Sequence, residues 1–146
     1  MLHFRTIDAD RLKNRFTGQC LTRGESFNFV VKPCGETNQR WDRWIQNKPF
    51  FFIHGLHNEG VWNSNNRCLT VKQKKQAVVD ILVNKSKEYR LLENTCDYTN
   101  SIQEWHSDNE NIYNLHSKLY LNVDKDGNVF LSKDSGLTTT WYFIKD

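Results

Sequence analysis

Apolar residues in this chain come in short runs that never settle into a long helical rhythm. Leu12-Lys13-Asn14-Arg15-Phe16 alternates apolar with polar, the period of a strand with one face buried. Phe29-Val30-Val31, Phe50-Phe51-Phe52-Ile53, Tyr89-Arg90-Leu91-Leu92, Ile112-Tyr113-Asn114 and Val129-Phe130-Leu131 are runs rich in β-branched and aromatic residues, and they too read as strands. The stretches around His3 to Ile7, Trp44-Ile45 and Val61-Trp62-Asn63 are further short strand candidates. Glycines punctuate the runs, and Asp124-Lys125-Asp126-Gly127-Asn128 is a hairpin signal. One segment is ambiguous. From Val71 to Asn84, three lysines precede Ala77-Val78-Val79-Asp80-Ile81-Leu82-Val83; a helix can compete there, but the β-branched content favours a strand-like excursion. Many short strands with regular turns predict an all-β barrel or sandwich.

The runs also repeat. Cys20-Leu21-Thr22, then Phe29-Val30-Val31, Cys34 and Gln39-Arg40-Trp41 form a frame that returns as Tyr120-Leu121-Asn122, Val129-Phe130-Leu131, Asp134 and Thr139-Thr140-Trp141. A third copy lies between them, with Cys68-Leu69-Thr70, Tyr89-Arg90-Leu91-Leu92, Cys96 and Gln103-Glu104-Trp105. Its cysteines are 28 apart against 14 in the first copy, so about 14 residues are inserted within this repeat. Three copies divide residues 1–146 into repeats of about 11–58, 59–109 and 110–146, expected to build a single domain. Trp41, Trp105 and Trp141 end the copies at one place and are expected in the core, with Gln39 and Gln103 holding the backbone of their repeats.

Cysteine usage fits the frame. Cys20 and Cys34 occupy the same two places as Cys68 and Cys96, which selects those two disulfides from the three pairings that four cysteines permit. Such bonds persist outside the cytosol, so a secreted or extracellular setting is expected. No Cys-x-x-Cys is present, and His54-x-x-His57 has no identifiable third ligand, so no metal site is assigned. Asn84-Lys85-Ser86 is a glycosylation sequon, but among 16 asparagines one is expected by chance.

Gly-x-Ser-x-Gly, phosphate-loop and His-Glu-x-x-His motifs are missing, which argues against an enzyme and against a cofactor. No run approaches the roughly 18 apolar residues of a transmembrane helix. The net charge of +3 does not point to nucleic acid. Its distribution is more informative. Residues 67–90 hold seven basic against two acidic side chains, whereas residues 91–146 hold four against nine. The basic segment is a candidate surface for an acidic partner, either a protein or a sulfated glycan.

Three copies of a Cys-Leu-x opening, a closing cysteine and Gln-x-Trp resemble the ricin B-type lectin repeat, over about residues 11 to 145. The ending from Val129 to Leu137 followed by Trp141 is also similar to the third lobe of the cysteine-rich domains of the mannose receptor family. The resemblance implies a β-trefoil of three pseudo-symmetric repeats and a non-catalytic module that binds glycans or glycoproteins. The alternative is a degenerate trefoil that works as a protein-interaction module. Galactose sites of the family use an acidic residue after Cys-Leu, an aromatic two residues before the second cysteine, and a nearby amide. Here Thr22, Thr70 and Asn122 stand at the acidic position, and Lys32, Asn94 and Ser132 at the aromatic one. After Gly-Leu, where sulfated-sugar sites carry a stacking ring, the residue is Thr138. Lobe three keeps the most polar groups, so the resemblance places a carbohydrate site for galactose-type, GalNAc-type or sulfated glycans at Asn122, Asn128, Ser132, Ser135, Gly136 and Thr138. The amides of the Ser135 to Thr138 turn are expected to cradle a small anion.

Overall fold

A computed structural model describes residues 10–25, 28–45, 50–54, 67–84 and 88–145, with the side chains of 42–45, 51, 53 and 54 outside that description. The strand candidates around His3 to Ile7 and at Val61 to Asn63 lie outside the described residues, as do His57 and the His54 side chain. Within the described residues the chain is almost wholly β. Its strands are β1 (Asp10–Asn14), β2 (Cys20–Arg23), β3 (Phe29–Lys32), β4 (Trp41–Ile45), β5 (Phe50–His54), β6 (Arg67–Gln73), β7 (Tyr89–Thr95), β8 (Trp105–Asp108), β9 (Asn111–Asn114), β10 (Tyr120–Val123), β11 (Val129–Ser132) and β12 (Trp141–Lys145).

Their pairings close a ring. β1 pairs with β12 and with β4, β4 with β5, β5 with β8, and β8 with β9. A bridge between Asn111 and Thr140 brings β9 back to the start of β12. The remaining strands form three antiparallel hairpins, β2/β3, β6/β7 and β10/β11, each following a ring strand. Within each hairpin the first strand alternates faces, so Leu21, Leu69 and Leu121 turn inward and are buried.

The repeat frame is visible in the core. Trp41, Trp105 and Trp141 are buried, and each donates its indole N–H to the carbonyl of the inward leucine of its own repeat: Leu21 at 3.2 Å, Leu69 at 3.1 Å and Leu121 at 2.9 Å. A buried indole needs this partner, and a strand carbonyl at one place in every copy supplies it. Around the tryptophans pack Leu12, Phe29, Val31, Phe50, Phe52, Val71, Ile112 and Val123. Both expected disulfides are formed, Cys20–Cys34 and Cys68–Cys96, and among the described residues no cysteine is free.

The expectation for Val71 to Asn84 needs correction. β6 ends at Gln73, and a short helix α1 (Val78–Leu82) follows. Ala77 is extended and its N–H is accepted by the Asp80 carboxylate at 3.1 Å, which starts the turn. Asn84, at φ 56°, stops it in the left-handed region. β-branched residues weaken a helix only slightly, and with no sheet partner opposite them among the described residues the local cap decides.

Candidate functional site

The three hairpins place the ligand positions that the lectin resemblance points to in different surroundings. Thr22 and Thr70 are buried; each hydroxyl donates to the carbonyl two residues back, Cys20 or Cys68, and accepts the amide N–H of Gln39 or Gln103 at 3.0 Å. These threonines are therefore braces for the closing glutamines and do not face solvent. Gln39 completes its brace through Oε1, which accepts the N–H of Gly35 and of Glu36 and the Arg11 guanidinium. Gln103 does the same for the N–H of Asp97. Lobe three has Thr139 at that place. Its shorter side chain takes the Gly136 N–H at 2.8 Å and bonds to Asn111, so it cannot reach across to Asn122.

Asn122 is consequently half-buried and engages a different set. Its Oδ1 accepts the Thr138 hydroxyl at 2.6 Å and the Val123 N–H at 2.7 Å, while Nδ2 donates to Ser132 Oγ at 3.1 Å. The Ser132 hydroxyl in turn donates to the Asp134 carbonyl at 2.9 Å. Asn122, Ser132 and Thr138 are thus brought together as one cluster. The Asn122 carbonyl has both lone pairs engaged and one amide hydrogen committed to Ser132, leaving the second amide hydrogen and hydroxyl lone pairs as the cluster's outward capacity.

The other expected residues are placed less favourably. The Gly136 N–H is held by Thr139, and residues 137–139 tighten into a single 3-10 turn. The N–H groups of Gly136 and Thr139 are thus spent within the turn itself. Ser135 is exposed beside it. Asn128 sits at the tip of the β10/β11 hairpin, its N–H accepted by the Asp124 carboxylate at 2.9 Å. That bond, with a second from the Asp126 N–H, holds the Asp124 pKa below its usual 3.8. Gly127, at φ 83°, turns the tip so that its carbonyl accepts the Val31 N–H from the first hairpin at 2.8 Å.

One residue was missed at the sequence level. Phe130 lies directly across the hairpin from Asn122, on the same outward face, and is 40% exposed; opposed side chains of this kind stand about 5 Å apart at Cβ. The period-two alternation Asn128, Phe130, Ser132 carried the signal, but the lectin resemblance puts the ring at Ser132, and the ring here is displaced from it by two residues. Phe130 also lines a groove of 280 Å³ between the three hairpins, together with Asn28, Lys74, Tyr89, Arg90 and Asn128. Two cations, Lys74 and Arg90, and three rings, Phe29, Tyr89 and Phe130, thus border the cavity. Among the described residues no group of three or more potential metal ligands occurs, and no helix is long and apolar enough to cross a membrane.

Architecture and covalent frame define a disulfide-bonded, all-β chain. No protein-family model matches it, and no curated sequence is found as a relative. Solved structures do resemble it. SeviL bound to asialo-GM1 saccharide is 15% identical with a TM-score of 0.60, over 96% of this chain and 98% of that one. A Culex quiquefasciatus salivary protein of the Cysteine and Tryptophan-Rich family is 17% identical with a TM-score of 0.64, over 100% and 99%. The GlcNAcα1-4Gal-releasing endo-β-galactosidase from Clostridium perfringens is 13% identical with a TM-score of 0.66; the match covers 96% of this chain but 33% of the enzyme. At these identities the likeness is one of fold.

Proposed function

We propose that the chain is a secreted β-trefoil lectin module of the ricin B type, a single non-catalytic domain that binds glycans through lobe three. The observation that carries this reading is the Asn122-Ser132-Thr138 cluster set across a hairpin from the half-exposed ring of Phe130. A pyranose offers hydroxyls to such a cluster and an apolar face to such a ring. Lys74 and Arg90, which share the groove with Phe130, favour acidic galactosides, sulfated or sialylated, over neutral ones. The structure of SeviL holds a saccharide, and the galactosidase carries a similar fold as part of a longer chain; both support a sugar-related role. The two disulfides support an oxidising compartment.

The buried threonines favour a narrower second reading in lobes one and two. Thr22 and Thr70 are engaged by glutamines, so those lobes serve as frame or as protein-contact surface. NMR titration with methyl β-galactoside and its sulfated and sialylated counterparts tests the proposal. Shifts centred on Asn122 and Phe130, at millimolar affinity for the neutral sugar and tighter for the acidic ones, are expected. Shifts centred on Thr22 and Lys32, or binding that survives Asn122→Ala, overturn it.

A further inference from the structure

The least expected surface of the molecule is α1. Val78, Val79, Ile81, Leu82 and Val83 are each between 59% and 76% exposed, and no residue of the helix is buried. Water around five adjacent aliphatic side chains is unfavourable, and a compact apolar patch of this kind marks a contact surface. The shape narrows the choice of contact. At about 100° per residue, Val78, Val79, Ile81 and Leu82 cover an arc of about 160°, and Val83 extends it. A groove in a protein covers a stripe of roughly 100°. The one acidic side chain of the helix, Asp80, falls outside that arc and is drawn back to cap Ala77.

Charge on the stem supplies a second, independent observation. Lys72, Lys74, Lys75 and Arg90 are all exposed where the chain enters and leaves the knob. Lys72 stands directly opposite Arg90 in the β6/β7 register, and two like charges at such a pair repel each other. Lys74 alone of these has a carboxylate near it among the described residues, Glu88 at 3.7 Å on the surface. Repulsion of this kind is relieved when the stem faces a negatively charged plane.

We propose that α1 is a membrane-interface anchor: Val78, Val79, Ile81, Leu82 and Val83 insert among the acyl chains at an anionic bilayer surface, while Lys72, Lys74, Lys75 and Arg90 rest on the phosphate and carboxylate headgroups. An apolar tip too short to span and a basic collar are the two signals that stable interfacial binding requires together. A fluid acyl layer covers a knob from every side, which a groove cannot do. The inference needs neither Asn122 nor Phe130; Lys74 and Arg90 border both surfaces, so the variants that test it are placed at Lys72, Lys75, Ile81 and Leu82.

Co-sedimentation with vesicles tests it, using phosphatidylcholine alone or with about 30% phosphatidylserine and no glycolipid. The chain is expected on the mixed vesicles and to be lost from them as salt rises. Each lysine near such a surface contributes about a fivefold gain in partition, so Lys72→Gln with Lys75→Gln lowers it about 25-fold. Ile81→Asp with Leu82→Asp lowers it at least tenfold; near-ultraviolet circular dichroism identical to the parent shows that this exposed pair leaves the core intact. The proposal is overturned if the parent stays in the supernatant, if phosphatidylcholine alone binds it as well, or if the Ile81/Leu82 variant binds unchanged, the result expected of a knob that docks a protein.

Discussion

Replacing Gln39 by leucine removes the hub of the first repeat while nearly preserving volume. Oε1 of Gln39 accepts the Arg11 guanidinium at 2.7 Å, and Nε2 donates to Thr22 Oγ1 and to the Pro33 carbonyl, each at 3.0 Å. Arg11 and Thr22 are buried, so water cannot replace what they lose. A hydrogen bond to a charged group contributes about 1.5–3 kcal/mol and a neutral one about 1 kcal/mol. Gly35 and Glu36, which also donate to Gln39, are exposed and find water. The expected cost is about 4 kcal/mol. Gln103→Leu is the internal control. It holds no cation, and of its partners only Thr70 is buried, so its cost is about 2 kcal/mol. With a urea m-value of about 2 kcal/mol/M, the midpoints fall by about 2 M and 1 M respectively. Arg11→Met combined with Gln39→Leu is expected to cost at least about 1 kcal/mol less than the two separately, because removing the cation removes its unmet need. Equal midpoints for Gln39→Leu and Gln103→Leu, with additive behaviour of the Arg11 pair, would refute this reasoning.

Three further outcomes are expected. Removing Cys68–Cys96, which closes 28 residues, costs about 3.6 kcal/mol against about 3.0 kcal/mol for the 14-residue Cys20–Cys34 loop in the chain-entropy model; urea titration of the paired alanine variants measures both. Because the folded Asp124 pKa is depressed, its contribution to stability is present above 3.8 and lost as pH falls through the lower folded value. Asp124→Asn therefore flattens the decline of Tm between about pH 5 and pH 2, read by calorimetry. Phe130→Ala weakens acidic galactosides at least about fivefold with Tm unchanged within a degree or two, since the ring is half-exposed; NMR titration checks it.

What the sequence disclosed were contacts forced by the repeat itself. An indole at one place in each copy has to find an acceptor, and an equivalent backbone carbonyl is the partner available in all three; the cysteine pairs and the two closing glutamines follow from the same equivalence. What stayed hidden depended on which neighbour wins a side chain. Thr22 reads only as a threonine standing where the resemblance expects an acid, and its role as the brace of Gln39 shows once the Gln39 amide is seen to bond its hydroxyl. Asn122 escapes only because Thr139 is too short to do likewise. Phe130 was hidden because the displaced ring matches no position of the motif. The helix at Val78–Leu82 was obscured by its β-branched content, when the capping carboxylate of Asp80 was the informative residue. Asn14 and Asn114 stand at equivalent places in the repeat, but nothing in the sequence gave them a role. Yet both are fully buried, caging the following turn with Oδ1 and reaching the Thr138 or Ile102 carbonyl of another segment with Nδ2.

That first asparagine has a consequence for synthesis on the ribosome. Asn14 bonds to Thr138, 124 residues later, and the strand that carries it pairs along its whole length with Trp141–Lys145. While translation proceeds, β1 has its long-range partner still unmade, so an early strand waits with an open edge for a late one. Full ring closure therefore waits until residues 141–145 have left the ribosome. A nascent chain stalled before Thr138 leaves that edge unpaired, which makes such intermediates the ones most in need of a chaperone.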